Sequence, residues 1–475
     1  VLKWIGKFIR GQHDYVEGWF HKGGKLERLY PLYEAHDTFL FTPGETTKGA
    51  THVRDAIDLK RMMSVVVVAL LPCLFMALYN TGFQANLIYA TAIKQMKQQQ
   101  GESFDLEAAK VALKITPPED ATTSDYVLRV FTSNEKLPNW RMPILNWFGF
   151  DWSDAGTFSG NFLSPGHLGK AMLHGALYFF PVWFIGLAAG GLCEAFFAMV
   201  RRHEINEGFL VTSSLLPLTL PADMPLWQVA LGMIFGVVVG KEVFGGTGKN
   251  FLNPALTARA FLYFNNAPFI SGDNVWTSVD GYSGATGLGA LAVKGTGGDV
   301  AGTLTQLKGT VAGQVIEQPL TWWDAFIGNM HGSMGETSAL ACLIGAAILI
   351  ASGIGSWKIM AGSVIGLSGF SFLLSQVDSE IGISAATPMW HMVLGGFAFG
   401  TVFMATDPVS ASMTETGKWL YGVLIGFMTV VVRALNPGYA EGIMLAVLFA
   451  NCCAPLIDYC VVQANIKRRL ARNAA

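Results

Sequence analysis

Apolar runs in this chain are too long and too evenly filled for the core of a soluble domain. Residues 62–93 carry no formal charge, whereas residues 1–61 before them hold ten lysines and arginines. A helix needs about 20 apolar residues to cross the hydrocarbon of a bilayer, so the pattern predicts a first span at 63–80. Further spans are predicted at 171–200, 209–221, 226–240, 251–270, 337–357, 359–377, 389–406, 419–434 and 442–460. The fold class is therefore all-α and polytopic, with about ten transmembrane helices. The run at 209–221 is short and ends Leu220-Pro221, which suits a broken or re-entrant helix.

Polar stretches divide the chain into parts. Residues 1–61 form a basic N-terminal arm, 62–270 a first membrane half, 271–335 a glycine-rich loop, 336–460 a second membrane half and 461–475 a basic tail. Inside the first half, 94–167 is polar and mixed in charge, with Thr116-Pro117-Pro118 and a tryptophan-rich stretch from Trp140 to Trp152. Basic loops stay on the cytoplasmic side of a membrane. The arm, Arg201-Arg202-His203, the turn from Lys241 to Lys249, Lys358 and the tail Lys467-Arg468-Arg469 with Arg472 all fall on one side of the ten-span count. Both termini are then cytoplasmic, and 94–167 and 271–335 extracytoplasmic. Trp4, Ile5, Phe8 and Ile9 either lie on the membrane surface or belong to an exposed coil. No cleavable signal peptide is expected, because the first 60 residues lack the apolar core one requires.

Composition agrees. Hydrophobic residues make up 51% of the chain and charged residues 14%, with a mean hydropathy of +0.39; soluble chains carry roughly 25% charged residues. The 54 glycines suit close helix packing. A net charge of −2 suggests no nucleic-acid partner. Cys73, Cys193, Cys342, Cys452, Cys453 and Cys460 lack iron–sulfur spacing and read as reduced packing residues. His174 and His391, in separate spans, are weak grounds for a haem and read as packing or interfacial residues.

An internal repeat is visible. Pro225-Leu-Trp-Gln-Val-Ala-Leu-Gly232 matches Pro388-Met-Trp-His-Met-Val-Leu-Gly395 at four of eight positions, and each copy runs on through a Phe-Gly pair. By the span count the copies cross in the same direction, though a single re-entrant segment would invert one of them.

The sharpest candidate for chemistry is Asp280-Gly281-Tyr282-Ser283-Gly284-Ala285-Thr286. It resembles the acceptor motif of flavin transferases, in which the last threonine is joined to flavin mononucleotide (FMN) through a phosphodiester. Small residues leave room for a modifying enzyme, glycines let backbone N–H groups approach phosphate, and Asp280 can assist a metal-dependent transfer. The alternative is an ordinary Gly/Ser loop. Four other stretches extend the resemblance: Gly190-Gly-Leu-Cys-Glu194, Val239 through Pro254, Met404-Ala-Thr-Asp-Pro-Val-Ser-Ala-Ser412 and Asn465-Ile-Lys-Arg-Arg-Leu470. Together these motifs resemble NqrB, a membrane component of the Na⁺-translocating NADH:quinone oxidoreductases (Nqr), over nearly the whole chain except 94–165. The related RnfD of the Rnf complex shares the acceptor threonine but lacks so long an arm.

The resemblance implies a bacterial inner-membrane redox subunit, active only within a six-subunit complex and matured by a flavin transferase. It would carry covalent FMN on Thr286 and non-covalent riboflavin, and reduce ubiquinone in step with Na⁺ export. The turn at 245–254 lacks the strand and helix that frame a nucleotide fingerprint. Its Asn250 and Asn253, three residues apart, can face one pocket and offer amide donors and acceptors. Resemblance implies that both, with Asp407 and Pro408, line the riboflavin site; the alternative is polar caps on broken helices. Glu194, the one charge between Lys170 and Arg201, is a functional candidate by its cost in hydrocarbon. Resemblance puts it with Gly190 and Gly191 at the quinone headgroup, and a salt bridge to Arg201 or Arg202 is the competing role. Asp458 either relays a cation or pairs with the basic tail. A small-solute channel is the reading from another class, since repeats with broken helices also build transporters.

Overall fold

The computed structural model describes residues 10–11, 15–21, 24–40, 59–116, 139–150, 165–201, 205, 208–270, 272, 277–293, 298–377 and 381–474. Most of the basic arm, Trp152, Arg202 and His203 lie outside them. The molecule is a mostly helical polytopic membrane protein. Among the described residues, six helices are long and apolar enough to cross a bilayer and two apolar helices are shorter.

Helix α1 (Leu59–Gln100) has 42 residues, about 63 Å at 1.5 Å per residue and twice the hydrocarbon thickness. The helix therefore runs on well beyond the expected span at 63–80 and through the polarity change after residue 93. The extension is held by packing. Ala85, Ile88, Tyr89, Ala92 and Ile93 are buried against Leu113, Met142, Val279, Val311 and Ile316, so the polar segment has its own small core.

Helices α2 (Pro165–Arg201), α3 (Gly208–Leu218), α4 (Leu226–Val238) and α5 (Pro254–Asn265) complete the first half. A loop follows with α6 (Gly287–Ala292) and a three-stranded antiparallel sheet: β1 (Ser283–Gly284), β2 (Lys308–Val311) and β3 (Gln314–Glu317). The register pairs Ser283 with Thr310 and Gly284 with Gly309. Helices α7 (Ala339–Ala351), α8 (Trp357–Leu374), α9 (Pro388–Val393), α10 (Glu415–Leu435) and α11 (Ile443–Ala474) form the second half. The basic tail is thus the end of α11. All ten expected stretches contain helix, but 251–270 holds the 12-residue α5 and 389–406 is broken.

The break follows α9, where Gly395 takes a φ of +67° and the chain resumes as Phe397–Phe399 and a π-helical turn, Gly400–Met404. Pro225 and Pro388, equivalent in the repeat, both open helices, yet α4 continues unbroken through the length at which α9 stops.

Close packing comes from glycine. On α8, Gly362 and Gly366, and on α10, Gly422 and Gly426, are each four apart. A Cβ at Gly366 would stand 2.2 Å from Val423 O and one at Gly426 2.0 Å from Ser363 O. These are facing small-xxx-small seams, which let two backbones touch in lipid.

The bundle has two distinct ends. Met62 and Met63, at the start of α1, lie by the turns at 241–253 and 405–409. At the far end, Asn80 donates to Met330 O at 2.9 Å and Gln84 to Asn329 Oδ1 at 2.8 Å, beside the sheet.

Candidate functional site

At the sheet end a cavity of about 640 Å³ is lined by Thr286, Gly289, His331, Glu336, Gly396 and Glu441, among others. Thr286 is half-buried and is the N-cap of α6. Its Oγ1 accepts from Gly289 N at 3.1 Å and donates to Gly272 O at 3.3 Å, so the hydroxyl is fixed at the cavity wall. Tyr282 explains Gly284 of the motif and Gly309 of β2. A Cβ at Gly284 would lie 2.4 Å from its hydroxyl oxygen and one at Gly309 2.0 Å, so its ring occupies the space both glycines leave. The Tyr282 hydroxyl donates to Gln318 Oε1 at 2.8 Å, and burial pushes it up to about 12, so it remains a donor. Asp280 is an anchor: its Oδ2 accepts from Asn139 N at 3.2 Å, tying the motif to the segment 139–150. Ser283 is exposed, and neither it, Gly284 nor Ala285 lines the cavity.

Beneath this cavity lies a buried ion network. Arg259 of α5 donates through Nη1 to both oxygens of Glu336 at 3.1 Å and through Nη2 to Glu441 Oε2 at 2.7 Å. Ser333 Oγ adds a bond to Glu336 Oε2 at 2.6 Å. Breaking such a network strands a charge at a cost of several kcal/mol.

A second cavity, about 770 Å³, opens among the turns at the other end. It brings together Asn250, Asn253, Asp407 and Pro408, the four residues expected to share one site, and adds Thr247 and Lys241. The capping alternative is also visible: Asn253 Oδ1 accepts from Ala255 N at 3.0 Å and caps α5, and Asn250 Nδ2 donates to Leu252 O at 2.9 Å. Asp407 accepts from Val409 N at 3.2 Å and from Ser410 Oγ at 2.8 Å. One set of residues fixes the turns and lines the cavity.

Glu194 pairs with Lys241, both about 5% exposed. Arg201 goes instead to Glu242, 2.9 Å from Oε2, which corrects the expected partner. Gly190 faces a ring: its Cβ would stand 2.5 Å from Phe209 Cε2, whereas one at Gly191 would find the same ring at 3.5 Å. Asp458 does not pair with the tail. Its Oδ1 accepts from Ser412 Oγ at 2.7 Å, Thr414 N at 3.0 Å and Thr414 Oγ1 at 2.6 Å, and its Oδ2 from Met413 N at 2.8 Å. His174 bonds Asn86 Oδ1 at 2.7 Å, and His391 lies 3.2 Å from Arg433 Nη1.

Lys241, His331, Glu336 and Glu441 escaped the sequence reading. Lys241 offered a signal, as a cation at the end of an apolar run; His331 offered none.

A helical bundle with a threonine-walled cavity at one end and an amide- and hydroxyl-lined cavity at the other defines a polytopic membrane protein built around two polar sites. The model of the NQR2, RnfD, RnfE family matches residues 46–467. The chain is 50% identical over 467 residues to the NqrB component of the Na(+)-translocating NADH-quinone reductase of Stutzerimonas stutzeri (strain A1501), covering 98% of this chain and 99% of the relative. The NqrB of Pseudomonas aeruginosa (strain LESB58) is 48% identical with the same coverage, and that of Chromohalobacter salexigens is 46% identical, covering 98% and 97%. The chain belongs to this family, in the branch formed by the NqrB components of the Na⁺-translocating NADH-quinone reductases.

Proposed function

We propose that this chain is the quinone-side membrane subunit of a Na⁺-pumping NADH:quinone oxidoreductase in a bacterial inner membrane. It carries FMN on Thr286 and riboflavin in the second cavity, and delivers electrons to ubiquinone in step with Na⁺ export. The observation that carries this reading is the separation of sites: the Thr286 hydroxyl walls one cavity, and all four expected riboflavin residues line another at the opposite end. We read ten crossings, counting the short α3, α5 and α7 and the broken α9 segment, related by the internal repeat. Both termini and the turn at 241–253 face the cytoplasm, and the sheet faces outside. Partners are the other members of a six-subunit complex and the flavin transferase that loads Thr286.

The residues fit the groups. Around Thr286, glycines at 272 and 289 keep side chains away from the hydroxyl, and among the described residues the shielded nitrogens of His331 have no hydrogen-bond partner. In the second cavity, neutral amides and hydroxyls suit an uncharged heteroaromatic ring. The flavins supply the capacity to hold and pass electrons. The chain supplies position: Thr286 and Gly272 fix one attachment point, and the capped turns fix the other wall. Glu194, Gly190 and Gly191, beside Lys241 at the edge of the second cavity, are proposed to receive the quinone headgroup, with Phe209 as a flat apolar wall.

Asp458, Ser412 and Thr414 gather one carboxylate and two hydroxyls, an oxygen set suited to a hard cation, and we assign it to the Na⁺ path. Asp458→Asn is expected to raise several-fold the Na⁺ concentration giving half-maximal turnover; an unchanged value removes it from the path.

The direct test is Thr286→Ala, which removes the hydroxyl proposed to form the phosphoester. The band that fluoresces on a denaturing gel should disappear, while non-covalent flavin stays. Because Thr286 caps α6, the change also costs about 1 kcal/mol; Thr286→Ser keeps hydroxyl and cap and controls for it. A fluorescent band surviving in Thr286→Ala defeats the assignment.

A further inference from the structure

The acceptor motif reaches beyond its own threonine. Its Tyr282 ring lies parallel to His331, with centroids 5.6 Å apart and planes 7° from coplanar. Tyr282 is itself locked, by its bond to Gln318 and by the glycines it covers. The His331 backbone is held too, because the preceding Met330 carbonyl accepts from Asn80 and Asn329 accepts from Gln84, both on α1. This imidazole is therefore rigidly placed on the wall of the Thr286 cavity. Yet both its ring nitrogens are cut off from solvent, and among the described residues neither has a hydrogen-bond partner.

Leaving such groups unsatisfied is costly, and a buried polar atom without a partner in a lined cavity points to a bound group. Burial holds the imidazole down at about 4, so near neutral pH it is uncharged and offers one N–H donor and one acceptor. Glu441, on the same cavity, is already engaged by Arg259 and Glu336. A neutral ring that offers one donor and one acceptor matches the imide edge of an isoalloxazine, which presents carbonyl acceptors around one N–H.

Resting on the reading of Thr286 as the flavin acceptor, we infer that His331 is a positioning residue for the covalent flavin, hydrogen-bonding the polar edge of its ring. A donor to that edge favours the reduced ring, which carries more electron density, so His331 also raises the reduction potential of this flavin relative to the same site without it.

The test uses the assembled complex carrying His331→Phe, which keeps the stacking on Tyr282 but removes both nitrogens, and His331→Gln, which restores a donor and an acceptor. Two readouts are taken: flavin fluorescence of the denatured band, and the midpoint potential of the covalent flavin by spectroelectrochemical titration. The expected result is a band of ordinary intensity in both variants. In His331→Phe the reduced-to-oxidised ratio at fixed potential should fall about tenfold, a shift of about 30 mV for a two-electron couple, and His331→Gln should recover most of it. An unmoved potential in His331→Phe overturns the inference. So does failure of both variants to assemble, which would make His331 a structural residue. A band absent from the unaltered chain, or present in Thr286→Ala, overturns the parent reading instead, so the two failures are distinguishable.

Discussion

Single residues carry double duty in this protein, and Glu194 shows it best. A carboxylate in an apolar run must find a partner or neutralise; here it finds Lys241, 47 positions away. Removing one member strands the other, so Glu194→Gln should destabilise the complex by about 3 kcal/mol, the low end for a buried pair, since Glu242 lies 3.9 Å from the same ammonium. Glu194→Gln/Lys241→Met should recover most of that loss in a thermal melt. If Glu194 serves the quinone, the double variant stays slow in quinone reduction while both flavins remain bound. Recovery of activity together with stability would leave the carboxylate with pairing alone. Which residues were legible follows from the same physics. Thr286 stood out through the motif that ends on it, Asn250 and Asn253 through their spacing in one turn, and Asp407 through the resemblance. Lys241 as the partner of Glu194 did not, because Arg201 is nearer in sequence and only the packing of α2 on α4 brings Lys241 alongside.

At the scale of elements, the bundle depends on where backbones touch. The seam of α8 and α10 has no room for a methyl group at Gly366, whereas Gly369, on the same helix, has no atom within 4 Å of a Cβ position. Gly366→Ala should therefore cost about 1–3 kcal/mol by overpacking and reduce the yield of folded complex, and Gly369→Ala should leave both within error. Equal behaviour of the two would mean the seam opens freely. The seam was readable as glycine enrichment, and its i, i+4 spacing on both helices was the sharper signal. The length of α1 was not readable, because a polar composition after residue 93 says where lipid ends and leaves the helix free to continue wherever another surface covers it. The break after α9 was not foreseen in the sequence; Gly395 turns the chain there at a φ of +67°, and a Cβ at Gly396 would stand 2.7 Å from Glu336 Oε1.

For the whole molecule, the two ends follow from the distribution of basic residues. Lys241, Lys358 and the tail of α11 belong to the turn end, whereas Thr310 is exposed on the sheet. Thr310→Cys should react with an impermeant thiol reagent in intact cells and Thr247→Cys should not; the reverse pattern would invert the proposed orientation. By itself the sequence determined that the chain lives in a membrane, that its apolar runs become helices, and that 280–286 carries a motif resembling a flavin acceptor. Those properties are written in contiguous residues, as hydropathy over some 20 positions or as a motif of seven. Only the tertiary structure decided what meets across the chain: Asn139 with Asp280, Lys241 with Glu194, Arg259 with Glu336 and Glu441, and His331 with Tyr282 at the Thr286 cavity. Each of these contacts joins residues more than 40 positions apart. A buried polar group must be satisfied by something, but its own sequence neighbourhood does not say by what, because the partner is chosen by how helices pack.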